Sequence, residues 1–157
     1  MNSESPVRGS NDQNVELDDE VEPWICYLLT IEGAGDDVIK GWCDVVRAEA
    51  LDLHAWLKNG QRENVYENGM LHRLRSHGFE VEQQYPIQVQ DRDGTVLGDF
   101  YADLFVNETL MIELKACKSI LDEHIAQLLG YMRAAGKRHG LLINFGAGTV
   151  QIRKFVL

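Results

Sequence analysis

The sequence predicts an α/β layer fold, with a mixed β-sheet of about five strands flanked by helices. Three observations predict it. Apolar residues recur at steps of three and four over residues 37–57, 61–77 and 121–135, the spacing of one helix face. Between the second and third of these stretches the pattern changes to alternation, as in half-buried strands. After the third comes "GLLINF" (residues 140–145), a continuous apolar run suited to a strand covered on both faces. The order is helix, helix, three strands, helix, two strands.

The first helix is expected to bury Ile39, Trp42, Val46, Ala50, Leu53 and Leu57, and Asn59-Gly60 stops it. The second ends at Gly78. Its inward stripe reads Glu63, Tyr66, Met70 and Leu74, which puts an acid in line with buried residues. Residues 79–89 alternate and form the first strand, and "DRDG" (91–94) is a turn. Residues 96–106 and 110–117 form a hairpin around Asn107, Glu108 and Thr109. The third helix is closed by Gly136, and "VQIRKFVL" (150–157) is the last strand.

Ahead of these elements, residues 1–22 are polar and without periodicity. They hold seven acids (Glu4, Asp12, Glu16, Asp18, Asp19, Glu20, Glu22) against Arg8, a net of −6 out of the total −10, which leaves −4 for the remainder. They read as a disordered acidic tail, able to recruit a protein partner, followed by a single domain over residues 23–157. Residues 23–31 are apolar and fit strand or helix; no apolar run is long enough to span a bilayer. The chain opens without a basic region followed by an apolar core, so no secretory signal is expected. Cys26, Cys43 and Cys117 are dispersed and odd in number, which fits a reducing, intracellular setting rather than a disulfide framework. The acidic balance argues against a general nucleic-acid coat protein.

The chemistry-bearing stretch is "TLMIELKACKS" (109–119). Along a strand i and i+2 share a face, so Met111, Glu113, Lys115 and Cys117 line one side, and Ile112, Leu114 and Ala116 the other. A bulge-free hairpin with a three-residue loop pairs Val106 with Leu110. That register carries Asp103, set among large apolar neighbours in "FYADLFV", directly across from Glu113. Two carboxylates so placed need a cation, and either Lys115 or a divalent metal could serve. Taken singly, each signal has a plain structural explanation. Glu-x-Lys can be the wet face of a strand, Asp103 can satisfy backbone amides, and Glu63 can be a first-turn acid favoured by the helix dipole. On the third helix His124, Gln127 and Tyr131 form a stripe of neutral hydrogen-bonding groups, beside an apolar side of Ile125, Leu128, Leu129 and Met132. His124 reads as structural. A Cys117–His124 hydrolase is discounted because no third partner accompanies the pair.

Together these residues resemble a known family. "GQRENVY" (60–66) is similar to the Gly-x-x-Glu-x-x-Tyr signature of the GxxExxY proteins, a family assigned to the PD-(D/E)XK nuclease-like superfamily. The likeness continues through "YADLFVNETLMIELKA" and "HIAQLLGYMRAAGKRHGLLINFG", from residue 45 to residue 157. It implies a restriction-endonuclease-like core and a nuclease dependent on Mg²⁺ or Mn²⁺, acting on nucleic acid, DNA before RNA. It further implies that Asp103, Glu113, Glu63 and the backbone carbonyl of Leu114 bind the metal, with Lys115 catalytic. Gln127 and Tyr131 resemble the Gln-x-x-x-Tyr element of the exonuclease branch. The departures are the absence of Pro-Gly before the Glu63 helix and the low basic content. The latter keeps a second function in view: a catalytically silent module of the same fold that binds nucleic acid or a protein partner.

Overall fold

A computed structural model describes residues 35–157; the expected acidic tail (1–22) and the ambiguous apolar segment (23–31) lie outside the described residues. The elements run α1 (Asp36–Leu57), α2 (Glu63–Ser76), β1 (Val81–Gln90), β2 (Val96–Val106), β3 (Leu110–Lys115), α3 (Asp122–Ala134), β4 (His139–Asn144) and β5 (Gln151–Val156). The strands form one five-stranded sheet in sequence order. Only β3 and β4 pair in parallel; the other neighbours are antiparallel. The α3 crossover between β3 and β4 explains the exception, since parallel neighbours need a long connection.

Two cores lie on opposite faces of the sheet. On one, Ile39, Trp42, Val46, Ala50 and Leu53 of α1 and Tyr66, Met70 and Leu74 of α2 pack on Leu104, Val106, Leu110, Ile112, Leu114, Leu141 and Ile143. On the other, Leu128 and Met132 of α3 pack on Ile87, Ala102, Phe105, Met111 and Leu142. The apolar residues of the helical stripes are buried or packed against the cores as the periodicity requires, with Leu57, Ile125 and Leu129 only partly covered. β4 is buried at every position, as its unbroken apolar run implies. Polar contacts join α1 to α2: Glu49 binds Arg73 at 3.0 Å and His77 at 2.7 Å.

The β2–β3 hairpin has the register expected of its loop, Val106 with Leu110, Phe105 with Met111 and Leu104 with Ile112. Asn107 and Glu108 make the turn with φ of 47° and 53°, and Thr109 N–H closes it on the Val106 carbonyl at 3.0 Å. The β1–β2 hairpin departs from simple alternation. Val81 belongs to the α1/α2 core, yet Ile87, an even number of residues along, belongs to the α3 core. Leu104 and Ala102 divide in the same way. Both strands therefore exchange faces between these positions. Gln84, in the middle of β1, has φ of 53°, a conformation in which strand alternation fails.

Candidate active site

The site forms where β2 and β3 part. Their last paired residues are Leu104 and Ile112. One step on, Asp103 Oδ2 accepts the main-chain N–H of Leu114 at 2.7 Å, so a side chain takes the donor that another rung of the ladder would have used. Glu113 and Lys115 follow Met111 on the α3 side of β3, and Lys115 Nζ donates to Glu113 Oε1 at 2.9 Å. Glu113 is 3% exposed and Asp103 9%, so both carboxyls are largely cut off from water. Glu113 Oε2 is buried without a hydrogen-bond partner.

Burial and mutual repulsion set the electrostatics. Burial lifts the Asp103 carboxyl to about 6, against the Leu114 N–H and with help from Glu67 and Glu63. Burial, and then Asp103, lift Glu113 to about 7, partly opposed by Lys115. For Lys115 burial disfavours the charge, but Glu113, Glu63 and Asp103 outweigh it, and the ammonium is held above its ordinary pKa. Two acids driven toward protonation around an ammonium form a cluster short of positive charge.

Glu63 is the first residue of α2 and is exposed, which corrects the expectation that it lies on the buried stripe. It has the right phase, but the helix begins there, before the sheet covers it. Its charge still bears on Asp103, Glu113 and Lys115. The buried acid of α2 is Glu67, 6% exposed, whose Oε1 accepts Gln83 Nε2 at 2.9 Å and Gln84 Nε2 at 2.8 Å. Gln84 Nε2 also lies 3.5 Å from Asp103 Oδ1. Glu67 and Gln84 went unnoticed in the sequence. Glu67 falls one residue after Tyr66, off the expected stripe, and a glutamine in a strand carries no signal.

The turn ahead of Glu63 is clipped by Tyr66, whose hydroxyl donates to the Lys58 carbonyl at 2.5 Å and accepts the Gln61 N–H at 3.3 Å. On α3, Gln127 Nε2 donates to Tyr131 Oη at 2.8 Å, as their shared stripe allows. Tyr131 faces Phe100, with ring centroids 5.6 Å apart. Both α3 residues line a groove of about 660 Å³ together with Val89, Phe100 and Arg133. The hydrogen bonds recorded for Gln127 and Tyr131 join them to each other rather than to the carboxylates. His124 Nδ1 accepts the Leu121 N–H at 3.1 Å and so caps α3. Cys117 donates its N–H to Asn144 Oδ1 at 3.0 Å and its thiol to the Ser119 carbonyl at 3.1 Å.

Among the described residues no three His, Cys, Asp or Glu side chains are gathered into a ready-made metal cluster. The chemistry of the donors nevertheless fits a hard divalent cation. Asp103 and Glu113 supply two carboxylates, Glu63 stands near enough to perturb both, and a buried carboxylate oxygen without a partner is the atom such an ion would satisfy. No described helix is long and apolar enough to cross a membrane.

A mixed five-stranded sheet between helical layers, with Asp and Glu-x-Lys on adjacent strands, is the restriction-endonuclease-like architecture. Residues 40–155 match the family model of the PD-(D/E)XK nuclease superfamily, and the chain belongs to that superfamily. No curated protein and no solved structure matches it.

Proposed function

We propose that this protein is a nuclease that hydrolyses phosphodiester bonds, in DNA before RNA, with Mg²⁺ or Mn²⁺. The observation that carries the reading is Glu113: buried, hydrogen-bonded to Lys115 through one oxygen, and left without a partner on the other. Asp103, Glu113, Glu63 and the Leu114 carbonyl would hold the ion. When bound, it would supply a water made nucleophilic at neutral pH and neutralise phosphate charge. The chain's own groups do the rest. Lys115 stays protonated and offsets charge building on the phosphate oxygens. Gln127 and Tyr131 offer neutral hydrogen bonds to a phosphate, and the burial of Asp103 and Glu113 limits bulk water.

Within the superfamily, Gly60, Glu63 and Tyr66 support placement among the GxxExxY proteins, and Gln127 with Tyr131 supports the exonuclease-type branch. The acidic stretch 1–22, at −6, repels a phosphate backbone and suits a protein partner. The dispersed cysteines favour an intracellular setting.

The test is cleavage of single- and double-stranded DNA and RNA with Mg²⁺ or Mn²⁺, by the parent and by Glu113→Ala and Lys115→Ala. Cleavage by the parent alone is expected. Cleavage that survives both substitutions ends the reading. Nucleic-acid binding with neither cleavage nor metal uptake leaves a silent module of the same fold.

A further inference from the structure

We propose that Gln84 is a positioning residue that aims the Asp103 carboxyl, with Glu67 as its anchor. The inference deepens the metal-site reading above and rests on it for its consequence in metal binding. Its geometric core does not.

Four observations converge on Gln84. Its φ of 53° is the left-handed region, which a non-glycine residue inside a strand adopts only under strain. In the β1–β2 ladder Gln83 pairs with Leu104 and Tyr85 with Ala102, so Gln84 and Asp103 lie opposite each other between paired positions. Both strands exchange sheet faces there, as the division of Val81 from Ile87 and of Leu104 from Ala102 between the two cores requires. Finally, the Gln84 amide donates to Glu67 Oε1 at 2.8 Å and stands 3.5 Å from Asp103 Oδ1.

Each oxygen of Asp103 thus meets a donor from a different strand: Oδ2 the N–H of Leu114 on β3, and Oδ1 the amide of Gln84 on β1. Glu67 is buried and also held by Gln83, so it fixes the amide from the α2 side. A glycine would adopt this backbone without strain. What glutamine adds is the side chain, and its role is to hold the carboxyl from the β1 side where β2 and β3 have stopped pairing.

The experiment compares the full-length parent with Gln84→Gly, which keeps the left-handed backbone and removes the amide. Two readouts are taken: exchange of the Leu114 amide proton by NMR without metal, and Mn²⁺ affinity by calorimetry. The variant is expected to fold with an unfolding midpoint no lower than the parent's. Its Leu114 N–H should lose protection while those of Ile112 and Ile143 keep theirs, and Mn²⁺ should bind about tenfold more weakly or worse, the usual effect of losing an outer-shell partner. Unchanged Leu114 protection overturns the proposal whatever the metal does. Selective loss at Leu114 in a protein whose parent takes up no Mn²⁺ upholds the positioning role and ends the metal reading. Gln84→Met keeps the strain without the donor and should lose Leu114 protection too; parent-like protection in Gln84→Met also overturns the proposal.

Discussion

Tyr66 lies flat on Phe145, with ring centroids 4.5 Å apart and planes 7° apart. The stack joins the first turn of α2 to the residue after β4. The same tyrosine ties down the Lys58–Gln61 turn through its hydroxyl. One side chain therefore sets both where α2 begins and how it meets the sheet, and Glu63 is carried at that beginning.

Tyr66→Phe keeps the stack and removes the hydroxyl. It should cost about 1 kcal/mol, the net worth of an ordinary hydrogen bond. Tyr66→Ala, which also empties a fully buried site, should cost about 3–5 kcal/mol. Urea unfolding of the two variants measures the split, and equal losses would show that the hydroxyl, not the ring, carries the contact.

The raised carboxyls make metal-free stability depend on pH. Asp103 and Glu113 titrate near 6 and 7 when folded and near their ordinary lower values when unfolded. Between these values these two groups bind more protons in the folded state, so their contribution to stability falls as pH rises from about 4 to about 7, by a few kcal/mol at most, while His139, held below its ordinary pKa by burial, contributes in the opposite sense. Lys115, raised above its usual value, keeps its contribution throughout that window. Thermal unfolding from pH 5 to 8 in chelator should show the decline, and Glu113→Gln should flatten it. A parent whose midpoint changes with pH no differently from that of Glu113→Gln would contradict the electrostatics derived above.

The Glu113–Lys115 pair should behave as a unit. Lys115→Met leaves Glu113 buried beside Asp103 without its counter-charge and hydrogen-bond donor, so the acid takes up a proton, and the change should cost about 1–3 kcal/mol. Adding Glu113→Gln removes that acid, so the double variant should recover part of the loss. Denaturation of the single and double variants closes the cycle, and strict additivity would mean that the two groups do not interact.

Gly146 is fixed by a close approach. A Cβ there would collide with the main chain of Ala116 and Cys117 rather than with a movable side chain. Gly146→Ala should therefore push apart the ends of β3 and β4 and destabilise by about 1–3 kcal/mol. Calorimetric unfolding tests this; a parent-like midpoint would mean the two strand ends yield freely.

Much of this site could be read from spacing. The three-residue loop at Asn107–Thr109 gave the register Val106 with Leu110, although pairing ends at Leu104 and Ile112, one step short of Asp103 and Glu113, and the apolar run at 140–145 announced a strand covered on both faces. Helical phase put Gln127 beside Tyr131. Phase misjudged Glu63 because a stripe says nothing of where the covering sheet ends. It missed Glu67 because that acid's burial depends on amides from a strand distant in sequence. The face exchange was hidden for a similar reason: residues 79–89 alternate well enough, and a left-handed glutamine is imposed by tertiary contacts rather than by local preference.

The swap of faces at Gln84 and Asp103 divides the long hairpin into an inner length sandwiched between both helical layers and an outer length packed on α3 alone. The length near Val81 and Val106 packs on α1 and α2 through one face and, at Phe105, on the α3 core through the other, while the length near Ile87 and Phe100 lies against α3 and the groove beside it. The acid sits at the fulcrum between them. Residues at the hairpin's far tip, around Asp91 and Gly94, can thus be exchanged or lengthened with the carboxylate still anchored from behind.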